Sequence, residues 1–350
     1  LQSTILPQYL PKRRWFAGKE GPIDAVRLCY GVRFGTAATP VLLSEIEVLS
    51  DGTATRYQLP FGLLREEQIH TALPQQLALS RVRRAHQVGL ITDAFVLEPF
   101  IHAVMQACQD GLRLPCGDSE GELRFECTEQ LAGLALDDES EVRYLSAEQS
   151  NSSVVIGGKA ILKLLRNAPP GLSAEVEMSR HLTRAGYANI PALLGEIQRV
   201  DGDGVPCTLA VLYAYIANEG DAWNWTLDYL KRTLATALLG GDSPEEFEAS
   251  LEGYATQAAT IGRRLAQLHQ VLARPSDDPA FAPAIASQEE ADALAARVVG
   301  QLDQAAQALR ACVDSLEEPS RACAQWLFDH HGRLVARIER MAQALAGSPL

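Results

Sequence analysis

One lysine stands where a charge needs a reason. Lys163 lies between Ile161, Leu162, Leu164 and Leu165, and an ammonium in a buried strand is costly unless an anion meets it. Just before it, "SAEQSNSS" (146–153) offers small hydroxyl and amide side chains and closely spaced backbone N–H groups, the kind of turn that can line an anion. Between the two, Val154, Val155 and Ile156 lead into Gly157-Gly158. That pair supplies the positive φ values of a two-residue hairpin turn. The chemistry implied by Glu148–Arg166 is therefore the holding of an anionic group between a polar loop and a strand lysine.

The elements around this stretch decide what anion it would be. "SEVRYLSAEQ" reads as a strand running into the polar turn, with Val142 and Tyr144 on one face. Strand, polar turn, strand, glycine turn and strand with lysine form the order by which a kinase-type small lobe holds nucleotide phosphates. After Pro169-Pro170-Gly171, "LSAEVEMSRHLTRAG" reads as a helix with Ser173 at its N-cap and Gly186 at its end. Glu177 follows Lys163 by 14 residues. Two readings of Glu177 stay open, a partner handed to the lysine by this helix and a solvated helix residue. "IPALLGEIQRV" and "PCTLAVLYAYI" read as an antiparallel pair, the second almost wholly apolar and therefore buried.

The start of the chain has a different character. "AVRLCYGVRF", "TPVLLSEIEVL" and "ATRYQLPFGLL" read as three strands of an antiparallel sheet. The aromatic pair in "RRWFAGK" (Arg13–Lys19) is best read as an anchor for the first helix against that sheet. "DAFVLEPFIHAVMQACQDG" reads as strand into helix, and "GELRFECTEQ" as a strand. From Trp223 the pattern is helical. One helix ends at Gly240-Gly241. The next is capped by Ser243 with Pro244 at its first position, and its apolar stripe runs through Leu251, Tyr254, Ala258, Ile261, Leu265 and Leu268. His269 ends that stripe and reads as a core residue, while His330-His331 reads as surface. Two further long amphipathic helices close the chain and are expected to pack on one another.

Composition narrows the class. At 350 residues the chain has room for two or three domains. A net charge of −13 argues against nonspecific nucleic-acid binding. No run approaches the about 18 apolar residues of a membrane span. The opening "LQSTILPQYLPKRRWF" is not a signal peptide, its apolar stretch being broken by Pro7. Seven cysteines at 29, 108, 116, 127, 207, 312 and 323, none in a CxxC, fit reduced thiols in a cytoplasmic protein. Cys108, Cys116 and Cys127 with His102 match no common zinc spacing and read as structural.

With these pieces laid out, the chain resembles the maltokinase family, a branch of the aminoglycoside-phosphotransferase-like kinases. The residues that carry the resemblance are "LPQYLPKRRWFAGK", "EQSNSSVVIGGKAILKLLR", "EVEMSRHL", "PALLGEI", "TLAVLYAYIANEGDAW" and "IGRRLAQLHQVLA". It implies an α+β, protein-kinase-like bilobal fold: a β-rich N-terminal cap over residues 1–90, an intermediate small lobe over 91–217 and an all-α, incomplete large lobe over 218–350. It implies ATP-dependent phosphorylation of maltose, or of a related sugar such as glucosamine, and a coupling to trehalose synthase. Under the resemblance Gln149, Ser150, Asn151, Ser152, Ser153 and Val154 form the phosphate loop. Lys163 binds phosphate, Glu177 partners it, and Tyr213, Ala214, Tyr215 and Ile216 form the adenine hinge. The family's "HGDxHxxQ" catalytic loop and "DFEG" metal site are absent from the 350 residues. The expectation is a truncated chain that holds ATP without transferring phosphate, with the Mg²⁺ ligands beyond Leu350. A non-catalytic nucleotide-binding or assembly module is the reading from another class.

Overall fold

The structure, a computed structural model, describes residues 1–18, 21–36, 40–117, 121–137, 139–145, 151–167, 169–240 and 243–348, with backbone only at 239, 240, 244, 246 and 250. Gln149 and Ser150 of the expected phosphate loop lie outside the described residues, as do Lys19 and Gly241.

The chain divides into two compact units, Leu1–Thr260 and Ile261–Leu350. The first opens with α1 (Ile5–Tyr9), then β1 (Ala25–Gly35), β2 (Pro40–Ser50), β3 (Thr53–Gln58), β4 (Phe61–Arg65), α2 (Ala72–Gln76), β5 (Ala78–Arg84) and β6 (Gln87–Asp93). These strands form an antiparallel sheet of order β1-β2-β4-β6-β5, with β3 pairing β2. The single strand expected over "ATRYQLPFGLL" is two strands. Pro60 has no N–H to continue a ladder, and its carbonyl instead accepts from Ala94 N at 2.9 Å. The aromatic anchor is present: Trp15 and Phe16 meet the Tyr57 ring at 5.8 and 5.2 Å.

Next come α3 (Glu98–Gln109), β7 (Arg113–Pro115), β8 (Glu122–Cys127), α4 (Glu129–Ala132), β9 (Val142–Leu145), β10 (Asn151–Ile156), β11 (Ala160–Leu165), α5 (Ala174–Arg184), β12 (Leu193–Val200) and β13 (Pro206–Ala214). The second sheet has the order β7-β8-β12-β13-β11-β10-β9. α3 explains how the two sheets share one core. Its apolar residues, Phe100, Ile101, Val104, Met105 and Cys108, lie in one cluster with Val32 and Leu43 of the first sheet and Phe125 and Val154 of the second. Cys108 and Cys116 belong to that cluster, and the His102 ring bonds the Ser140 carbonyl at 3.3 Å.

The β10–β11 turn bears out the need for left-handed backbone, with φ of +55° at Gly157 and +63° at Gly158. The connection is three residues long, not two, because Ile156 pairs with Ala160 and Lys159 N returns to the Ile156 carbonyl at 3.0 Å. At the head of α5, Ser173 takes the N-cap position without a side-chain capping bond. Gly186, at φ +72°, follows its last turn.

The remaining helices are α6 (Ala222–Gly240), α7 (Pro244–Leu272), α8 (Gln288–Cys312) and α9 (Glu318–Leu345). In the second unit α8 and α9 pack through a small-residue seam of Ala291, Ala295 and Ala342, and His331 meets Asp303 at 2.8 Å. His331 is thus a half-buried link between helices where the sequence suggested surface. The stripe on α7 departs further from expectation. Ile261 and Leu265 are 61% and 50% exposed, and His269 is exposed instead of sitting in a core. Amphipathic spacing marks a face able to be covered; it does not supply the covering element.

Candidate functional site

Strand alternation sorts the expected site residues onto two faces. On β11, Ala160, Leu162 and Leu164 join the main core. Ile161, Lys163 and Leu165 must then face the other way. There Ile161 packs with Val176, Leu193, Val211 and Tyr213, which seats α5 against the sheet. Ser153 pairs with Lys163 across the ladder, so both lie on the α5 face. Ser152 and Val154 point to the opposite side: Val154 is fully buried, and the Ser152 hydroxyl accepts from Arg166 Nε at 2.8 Å. Of the described loop residues, only Asn151 and Ser153 share a face with Lys163.

Lys163 has a carboxylate partner, and it is Glu175. Its Nζ lies 3.1 Å from both Glu175 oxygens. The assignment of that role to Glu177 is corrected. Val176 is buried and fixes the inward meridian of α5. Residues 175 and 177 flank it at about 100° on opposite sides of the helix, and only the 175 side faces the lysine. Ser179, one turn on from Glu175, confirms which side that is, since its hydroxyl contacts Tyr213 Oη at 3.3 Å. Tyr213 Oη also reaches Glu175 at 3.4 Å. Burial first, aided by the Glu175 charge, pushes the Tyr213 hydroxyl up to about 12, so it stays a protonated donor.

The Lys163–Glu175 pair is accessible, with side-chain exposures of 22% and 48%. A pair this open is worth about 0–1 kcal/mol to the fold. Its ammonium is therefore held in position rather than spent on stability, and can turn to an anionic ligand.

The expected hinge sits at the end of β13, beside this face. Two of its N–H groups are already used: Ala214 N donates to Ala192 O at 2.9 Å and Tyr215 N to Lys159 O at 2.7 Å. No bond from Ile216 N is seen among the described residues. Arg143 of β9, which the sequence did not single out, reaches Tyr215 Oη at 3.0 Å on the same side. Its exposed place between half-buried Val142 and Tyr144 was the available signal. No group of three or more His, Cys, Asp or Glu fit to hold a metal occurs among the described residues. The described residues thus do not fit the Mg²⁺ ion that the family resemblance implies.

The first sheet and its helices touch this site through Arg166. Its guanidinium meets Asp93 at 2.6 Å with both side chains at 2% exposure or less. It also lies 5.1 Å from the Trp15 ring centroid and 3.3 Å from the Gln58 carbonyl. A second tie joins Arg199 of β12 to buried Glu45 of β2 at 3.6 Å.

The fold has known structural relatives. The structure of a glucosamine kinase in complex with glucosamine, ADP and inorganic phosphate superposes with a TM-score of 0.55 at 19% identity, over 98% of this chain and 66% of that one. A second glucosamine kinase structure gives 0.54 at 18% identity, over 99% and 66%. The fold is therefore α+β and kinase-like, with a β-rich N-terminal cap. Residues 9–95 match the family model of the maltokinase N-terminal cap domain. The expected resemblance to that family is supported over this N-terminal region. It is also 29% identical over 167 residues to a glucosamine kinase of Streptacidiphilus jiangxiensis, spanning 45% of this chain and 35% of that relative's length. No helix among the described residues is long and apolar enough to cross a membrane.

Proposed function

We propose that this chain is the cap and nucleotide-holding part of a sugar kinase that transfers the γ-phosphate of ATP to maltose, giving maltose 1-phosphate. Residues 1–90 act as the cap, 91–217 as the lobe that holds nucleotide and 218–350 as helices of the second lobe. The observation that carries the reading is Lys163, presented on the α5 face by Glu175 and opposite Ser153. In this role the lysine ammonium takes the nucleotide phosphates, with Asn151 and Ser153 beside it and Ile216 N–H facing the base. Bound ATP supplies the transferable phosphoryl group, and this chain's residues bind and orient it. The 350 residues hold no "HGDxHxxQ" or "DFEG" sequence, so proton removal from the sugar is not assigned to any residue here.

Glucosamine as acceptor is the second reading, favoured by the likeness to glucosamine kinases. The cap match favours maltose. Partnership with trehalose synthase rests on the family resemblance alone and is tested by co-purification. The deciding experiment is titration calorimetry of ATP into the 350-residue protein and its Lys163→Met variant. Binding that falls about tenfold or more in the variant is expected; equal binding by both overturns the clamp.

A further inference from the structure

A run of three cations, Lys12-Arg13-Arg14, borders a cavity that does not include Lys163. The cavity, between the cap's Lys12–Trp15 turn and the start of β10, measures about 550 Å³. That is the size range of small-molecule sites. Lys12, Arg13 and Arg14 border it on one side and Arg166 on another. Its one described carboxylate, Asp93, is neutralised by Arg166. Arg13 is partly committed, stacking on Tyr9 at 4.4 Å and reaching the Gln76 carbonyl at 3.4 Å. Lys12 and Arg14 are exposed and have no partner among the described residues. Apolar surface from Phe95 and Leu77 and a polar edge from Asn151, Ser152 and Ser153 complete the wall, Asn151 and Ser153 being shared with the Lys163 face.

We propose that this cavity binds a phosphorylated small molecule of sugar-phosphate size, its phosphate held by Lys12 and Arg14 and its body lying toward β10. Guanidinium and ammonium groups converging on a walled space suit a phosphate, and the hydroxyls of a sugar suit the Asn151 edge. The occupant reaches the nucleotide face by a short path. Arg166 borders the cavity and holds Ser152, the neighbour of Ser153 opposite Lys163. Because the cavity shares Asn151 and Ser153 with that face, ligand here and nucleotide there are expected to change each other's affinity, by the same factor in both directions. This coupling rests on the nucleotide reading above; the binding does not.

The test is calorimetry on the 350-residue protein with glucose 6-phosphate, against glucose and inorganic phosphate. Glucose 6-phosphate is expected to bind, Lys12→Ala with Arg14→Ala to weaken it about tenfold or more, and Lys163→Met to leave it unchanged. No binding, or binding untouched by the double variant, overturns the site. Loss in Lys163→Met does so too, by moving the ligand to the clamp. Equal affinity for inorganic phosphate overturns the sugar-phosphate class. If ATP fails to bind while glucose 6-phosphate binds as expected, the nucleotide reading and the coupling fall and the cavity site stands.

Discussion

Arg166 and Asp93, 73 positions apart in the chain, form a buried ion pair at 2.6 Å that joins the cap to the exit of the lysine strand. Asp93 spends its other oxygen on Phe95 N at 3.0 Å, and Arg166 spends Nε on Ser152. A buried pair satisfied on both sides has little net worth against an apolar substitute, but losing one partner strands the other. Arg166→Met is expected to destabilise the first unit by about 3–5 kcal/mol, read by urea denaturation. A loss below about 1 kcal/mol would show that water reaches Asp93 and that the pair is not a structural tie.

The carboxylate assignment separates two residues that sit two positions apart. Glu175→Gln is expected to lower ATP affinity by disordering the Lys163 ammonium, while changing stability by no more than about 1 kcal/mol. Lys163→Met removes a charge-assisted contact worth about 1.5–3 kcal/mol, or about 10- to 150-fold in affinity. Glu177→Gln should leave binding at the wild-type level. Calorimetry on the three variants decides it, and a Glu177→Gln defect matching that of Glu175→Gln would sink the assignment.

The hairpin turn allows a comparison of neighbouring glycines. Both have positive φ, so alanine costs about 1 kcal/mol at either position. At Gly157 a Cβ would also stand 3.0 Å from Leu136 Cδ2, whereas at Gly158 nothing lies within 4 Å. Gly157→Ala should therefore lower the melting temperature more than Gly158→Ala. The reverse order would mean that Leu136 yields freely.

Thiol accessibility follows burial. Cys127, Cys312 and Cys323 are exposed, and Cys108, Cys116 and Cys207 are buried. Burial pushes the Cys108 thiol up to about 12 from its ordinary 9.0. Because its folded pKa is raised, its contribution to stability is present below pH 9 and is lost as pH rises toward 12. With an aromatic disulfide reagent at pH 8, the three exposed thiols should react in the folded protein and the three buried ones only after unfolding. Fast reaction of Cys108 under native conditions would contradict its place in the core.

The sequence made Lys163 conspicuous because a charge among aliphatics breaks a pattern, and it made the hairpin conspicuous because paired glycines have few uses. The choice between Glu175 and Glu177 was beyond it. Both flank Val176 symmetrically, and only the side on which α5 docks beside Tyr213 breaks that symmetry. Arg166 was equally hidden, since its partners at 15, 58, 93 and 152 come from four separate stretches. The α7 stripe misled in the other direction, for periodicity describes a helix's own surface and says nothing about what lies against it.

Arg166 also governs how this architecture can be taken apart. Trp15, Gln58 and Asp93 lie in the stretch that matches the cap model, while Arg166 follows β11 of the second sheet. A chimaera that grafts a foreign cap onto this lobe inherits an arginine with no counter-ion, and one that moves this cap elsewhere inherits an orphan aspartate. The two parts are thus exchangeable only as a matched set, and a cap replaced alone should yield a protein that misfolds at the seam before any question of substrate arises.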